Sequence, residues 1–162
     1  MKSKAIRLTR PGGFENIQIT TDEVEQPIGN QVLVRWRASS LTYHDYLVVN
    51  GAIPVEDGRI PMSDGAGEIA AVGEDVTKWK VGDKVLSLFY RDWLEGNPTP
   101  TKTALISGEN SEGFLTEHGL ETEETLTKMP EHLSFTEAAT LPCAALTAWN
   151  ALMVKGNLQS GE

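Results

Sequence analysis

Four consecutive residues, Thr42-Tyr43-His44-Asp45, place a hydroxyl, a phenol, an imidazole and a carboxylate side by side. An imidazole changes charge near neutral pH, so His44 is the candidate proton donor or polariser. The plainer alternative is that His44 decorates a short helix. Tyr43 either lines a pocket and donates through its hydroxyl, or packs as an amphipathic ring. Asp45 reads as a cap for local backbone, as Asp does near helix starts. Outside this run the chemistry-bearing groups are sparse. Cys143 is the single thiol, and His44, His118, Asp64 and Cys143 are the set that a metal would need to gather. No H-E-x-x-H or C-x-x-C spacing supports that gathering.

A second candidate is Gly65-Ala66-Gly67-Glu68-Ile69-Ala70, which reads G-x-G-x-x-A. That pattern marks a dinucleotide loop only between a buried strand and a long helix. The residues before it, GRIPMSD, contain a proline and charges, and Gly73 and Asp75 follow within two helical turns. The stretch therefore reads as a short strand between glycine turns. No G-x-x-x-x-G-K-[ST] phosphate loop occurs in the chain.

The chain that must position these groups has 162 residues, 40% of them hydrophobic and 23% charged. That length suits one domain with its own core. Acidic residues outnumber basic ones 23 to 14, for a net charge of −9. An acidic balance argues against a nucleic-acid partner. No apolar run approaches the roughly 18 residues of a membrane span, and the N-terminus lacks the apolar region of a signal peptide. One cysteine permits no internal disulfide, which suits a cytoplasmic location.

The first half alternates in the strand period. KAIRLTR and ENIQIT flank a Pro11-Gly12-Gly13 turn, and QVLVRWRASS turns Val32, Val34 and Trp36 to one side. HDYLVVNG reads as a short helix ending at Gly51. GEIAAVGEDV, WKVGDKVLSLF, FLTEHGLE and ETLTKMP follow as strands with turns. Residues 91–113 are polar, with Pro98, Pro100, Gly96 and Gly108, and read as a long surface loop. Its flanking Phe89 and Trp93 either shape an apolar pocket or pack within the loop. Ser134-x-x-Glu137 is a capping box, so a helix begins there. Pro142 breaks or restarts it, and the helical period continues to Gly156 with Trp149 in the core. The fold class is mainly β with helices, an α+β chain.

The stretch PMSDGAGEIAAVGEDVTKWKVGDKV resembles the medium-chain dehydrogenase/reductase superfamily of alcohol dehydrogenases and quinone reductases. SSLTYHDYLVVNG is similar to that family's early active-site segment, and EAATLPCAALTAWNAL to the helix joining its two domains. The resemblance implies a GroES-like, partly open β-barrel catalytic domain over residues 1–130. A helical connector over 131–162 would then lead toward a Rossmann domain that lies outside the chain. It implies hydride transfer between NAD or NADP and an alcohol or carbonyl, or a quinone or activated alkene. Most cofactor contacts are expected from the Rossmann half, so the chain alone is expected to bind nicotinamide poorly.

Zinc members use a cysteine, a histidine and a second cysteine. Those positions fall here on Thr42, Ser63 and Cys143, with Asp64 in the place of a family acid. The four closely spaced cysteines of a structural zinc lobe are missing, so a zinc-free member is expected. By the resemblance His44 lies near the substrate oxygen, Thr42 contacts substrate or cofactor, and Thr147 touches the nicotinamide. Alternatively Thr147 bonds only its own helix backbone. The expected partner is a small-molecule substrate, with no membrane contact and with homo-oligomerisation. The alternative reading is a stand-alone GroES-like binding module without catalysis.

Overall fold

A computed structural model describes residues 1–161; Glu162, the last residue of the expected connector, lies outside the described residues. Strands β1 (Lys2–Leu8) and β2 (Ile17–Glu23) form an antiparallel hairpin running from Lys2↔Glu23 to Leu8↔Ile17. The remaining strands are β3 (Gln31–Ser40), β4 (Asp64–Val72), β5 (Lys84–Ser87), β6 (His118–Thr122) and β7 (Leu126–Lys128). They pair antiparallel in the order β6-β3-β4-β5-β7. The hairpin joins this sheet beside β6, where Ile6 N–H donates to Leu115 C=O and Glu117 N–H to Lys4 C=O, each at 2.9 Å. The joined sheet curves into a partly open barrel.

The strand period of β3 explains its place at the centre. Val32, Val34 and Trp36 face inward and meet Ile69, Val85, Phe114 and Leu126 in one buried cluster. The Trp36 and Phe114 rings pack with centroids 4.5 Å apart. Side chains of this size contribute about 1.5–3 kcal/mol each when fully buried.

Gly65 and Gly67, expected in a turn, lie inside β4 opposite Ser39 and Trp36. The glycines serve close packing rather than chain reversal. A Cβ on Gly65 would fall 2.8 Å from the Phe114 side chain, and one on Gly67 would fall 3.0 Å from Cε3 of Trp36. The core ring pair lies against bare backbone at both places.

Helix α1 (Tyr43–Val49) follows β3 directly. Helix α2 (Phe135–Ala138) begins at the expected capping box, with the Ser134 hydroxyl accepting from Glu137 N–H and the Glu137 carboxylate accepting from Ser134 N–H. Ala138 and Ala139 pack on Ala66, Leu86 and Met129. Helix α2 ends at Ala138, and the helical path restarts with Pro142, one of the two outcomes expected of it. It continues through a π-helical turn (Leu141–Ala145), helix α3 (Leu146–Trp149) and a second π-helical stretch (Asn150–Lys155). Pro142 sits at the first turn of its segment, where its missing N–H is tolerated. Every described residue from Leu146 to Gly161 is exposed. Trp149, expected in the core, is therefore 61% exposed, because no other part of the described chain covers that face.

Candidate active site

The site forms where β3 ends and α1 begins. Thr42 is the N-cap of α1. Its hydroxyl accepts from Asp45 N–H and donates to Asp45 Oδ2, while Asp45 Oδ2 also accepts from Thr42 N–H at 2.7 Å. This closed capping box satisfies the orphan donors of a short helix. Asp45 thus caps, as its position implies. It also does something its local sequence does not announce: Oδ1 accepts from Ser63 N–H at 2.8 Å, across 18 residues. The carboxylate is 1% exposed and ties α1 to the entrance of β4. Burial pushes the Asp45 pKa up, but the neighbouring His44 and the hydrogen bonds from Thr42 and Ser63 outweigh it and hold the group below its ordinary range.

His44 is half-buried between two carboxylates. Nε2 lies 2.8 Å from Glu109 Oε2, a residue of the long loop. Nδ1 lies 3.7 Å from Asp45 Oδ1, too far for a hydrogen bond but close enough for an imidazolium to feel the charge. Asp45 first, and Glu109 after it, raise the His44 pKa against the opposing effect of burial. The ring edge rests on Phe89 at a centroid distance of 5.3 Å. Phe89 leads into Tyr90 and Trp93, ring against ring, so the loop brings an aromatic row beside the imidazole. Tyr43, by contrast, is 75% exposed and stacks on Tyr46.

Ser63 and Asp64 open β4 and are fully buried. Asp64 Oδ2 accepts from Cys143 N–H at 3.1 Å, joining β4 to the helical segment across 79 residues. Burial drives the Asp64 pKa up to about 7; the Cys143 bond opposes this and the charge of Asp45 adds to it. Three buried polar atoms in this neighbourhood have no protein partner: Ser63 Oγ, Asp64 Oδ1 and His44 Nδ1. Such groups cost free energy unless something polar meets them.

The donor set does not suit zinc. Thr42 and Ser63 offer hydroxyls where zinc prefers thiolate or imidazole. Burial, and then the charges of Asp64 and Asp45, push the Cys143 thiol up, away from the thiolate that binds metal. Among the described residues no group of three or more His, Cys, Asp or Glu side chains could hold a metal ion. His118 does not join the cluster: it pairs with Arg35 on β3, five residues from Ser40, the partner of Asp64. Thr147 donates its hydroxyl proton to Cys143 C=O at 2.6 Å, four residues back. Its oxygen keeps lone pairs on the exposed side, which suits an amide N–H donor such as a carboxamide.

Sequence reasoning missed Glu109. It lies 65 residues from His44 in a polar loop of no fixed pattern, and its one legible signal is loop length. That loop is anchored rather than loose. Arg91 makes a bidentate pair with buried Glu121 on β6, with N···O distances of 2.6 and 3.3 Å.

Comparison with known proteins bears on this arrangement. The family model of the alcohol dehydrogenase GroES-like domain matches residues 29–131. A zinc-type alcohol dehydrogenase-like protein of Schizosaccharomyces pombe is 39% identical over 143 residues, covering 86% of this chain and 41% of its own length. A chloroplast envelope quinone oxidoreductase homolog of Arabidopsis thaliana is 33% identical, covering 86% of this chain and 37% of its own. The chain thus spans less than half the length of these curated relatives. The structure of a putative alcohol dehydrogenase from Sinorhizobium meliloti superposes over the whole chain and 49% of its own, with a TM-score of 0.88 and 32% identity. Among the described residues no helix is long and apolar enough to cross a membrane.

Proposed function

Since the chain belongs to the medium-chain dehydrogenase/reductase superfamily, as an alcohol dehydrogenase GroES-like domain, we propose that it is the catalytic-domain portion of a zinc-independent, NAD(P)-dependent oxidoreductase. Its substrate would be a small alcohol or carbonyl compound, or a quinone or activated alkene. The observation that carries this reading is the meeting of His44, Ser63 and Asp64, each with a buried polar atom left unpartnered. A polar substrate group fits there better than a further packed side chain.

Nicotinamide supplies or accepts the hydride when bound; the residues here manage orientation and the proton. His44 gives its proton to the oxygen on which negative charge develops. The paired carboxylates Asp45 and Glu109 keep the imidazole charged at higher pH, ready for that transfer. Thr42 holds the α1 N-terminus and has a remaining lone pair for substrate or cofactor. Tyr43, exposed and stacked on Tyr46, would line the pocket or donate through its hydroxyl once substrate is bound. Thr147 would help hold the nicotinamide, its hydroxyl oxygen being free to accept a hydrogen bond.

Zinc independence is part of the proposal and rests on the hydroxyl donors at two of the three ligand positions. Metal analysis of the purified protein tests it, and stoichiometric tightly bound zinc would overturn it. A cytoplasmic, homo-oligomeric enzyme without nucleic-acid or membrane partners completes the reading.

The activity is tested by joining the chain to a nucleotide-binding half such as the superfamily carries. Turnover is then followed with NADH and NADPH against aldehydes, quinones and enones. His44→Ala should lower turnover about tenfold or more with little loss of cofactor affinity. Unchanged turnover would remove His44 from the chemistry.

A further inference from the structure

We propose that Glu109 is a positioning residue for His44: from the loop it accepts a hydrogen bond from Nε2–H, fixes the neutral ring as the Nε2–H tautomer, and so leaves Nδ1 as the atom that takes up and releases the working proton. This rests on the reading of His44 as the proton carrier.

The geometry leads there directly. A carboxylate oxygen can only accept, so the 2.8 Å contact requires a hydrogen on Nε2. In the neutral ring Nδ1 is then an acceptor, and it is buried with no partner of its own. Phe89, edge-on at 5.3 Å, limits rotation of the ring. The loop end that carries Glu109 is itself held in place: Ser107 N–H donates to Phe89 C=O at 3.2 Å and Gly108 N–H to Ser111 C=O at 3.0 Å. A carboxylate on one imidazole nitrogen is the usual device for assigning the chemistry to the other.

The proton balance is simple. In the imidazolium both nitrogens carry hydrogen. The Nδ1–H bond breaks, its electron pair stays on Nδ1, and a new O–H bond forms on the substrate oxyanion. The ring returns to the Nε2–H form, still bonded to Glu109. The charged or titratable groups facing the ring are Asp45 from its own helix, Glu109 from the loop and Asp64 from β4, with the Cys143 thiol beyond Asp64. Asp45, 3.7 Å from Nδ1, favours the charged form without fixing a tautomer.

The test is nitrogen-15 NMR of the imidazole rings in the 162-residue chain across pH. The expected wild-type result is a neutral His44 with a pyrrole-like Nε2 and a pyridine-like Nδ1. Glu109→Ala should yield a mixture of tautomers and a lower titration midpoint. Glu109→Gln, which removes only the charge, should also lower the midpoint. The His118 and His132 resonances report whether each variant keeps the fold. If Glu109→Ala does not fold, the wild-type tautomer and the Gln variant decide. A neutral wild-type ring protonated at Nδ1, a tautomer unmoved by Glu109→Ala, or a midpoint unmoved by Glu109→Gln would each overturn the proposal. Failure of the catalytic reading looks different: His44→Ala would leave turnover unchanged while the Nε2–H spectrum stood.

Discussion

Asp45 Oδ1 accepts the backbone N–H of Ser63 at 2.8 Å while its other oxygen closes the capping box on Thr42. One carboxylate thereby sets the start of α1, the entrance of β4 and one side of the His44 ring. The burial of such a group is tolerable because each oxygen is hydrogen-bonded.

Asp45→Ala should destabilise the chain by about 2–4 kcal/mol, since it removes a cap and leaves the Ser63 N–H buried without a partner. Asp45→Asn, which keeps the shape, should cost less. Urea unfolding with a constant slope checks the order of the two variants; equal stability of the alanine variant and the parent would contradict the account.

Asp64 should make the chain less stable as pH rises. Its folded pKa of about 7 lies above the ordinary carboxylate value. A carboxyl raised in this way contributes most below its unfolded pKa of about 4, and that contribution is lost as pH climbs toward 7. The raised His44 acts in the same direction, being most favourable below the unfolded histidine pKa and lost as pH rises through the folded one. Asp45, whose pKa is lowered, acts oppositely and loses its contribution as pH falls below the ordinary carboxylate range. Asp64→Asn keeps an acceptor for Cys143 N–H and should raise stability at pH 8 by on the order of 2 kcal/mol, or several degrees in Tm. Thermal melts at pH 5 and pH 8 check this; an equal effect at both would contradict it.

Gly65→Ala and Gly67→Ala should each lower stability by about 1–3 kcal/mol through overpacking. Gly67 should be the worse of the two, because its Cβ would strike the Arg35 carbonyl, 2.6 Å away, which has no rotamer to change. Chemical denaturation, with tryptophan fluorescence reporting on Trp36, measures both. Neutral substitutions would mean that β4 can shift away from the ring pair.

Arg91→Met should cost about 3 kcal/mol by leaving the Glu121 carboxylate, 6% exposed, without its cation. Arg91→Met with Glu121→Met should recover most of that loss. A double-mutant cycle reads the coupling directly, and additive losses would show that the pair is not a unit.

Local rules carried most of the architecture. The alternation of Val32, Val34 and Trp36 marked the central strand. Ser134-x-x-Glu137 marked one helix start and Asp45 marked a local cap; in the structure each closes a capping box by bonds within three residues. The family resemblance also pointed to Thr42, Ser63, Asp64 and Cys143, and residue type together with that resemblance pointed to His44. Tertiary structure decided what those residues touch. The Glu109–His44 contact spans 65 residues and the Asp64–Cys143 contact spans 79, and no local spacing encodes either. It also placed Gly65 and Gly67 against an aromatic pair rather than in a turn, and left Trp149 exposed although its helix is amphipathic. The physical reason is common to all of these. Backbone preference and capping act over a few residues, whereas burial and the partners of a buried polar atom depend on which distant surfaces fold together.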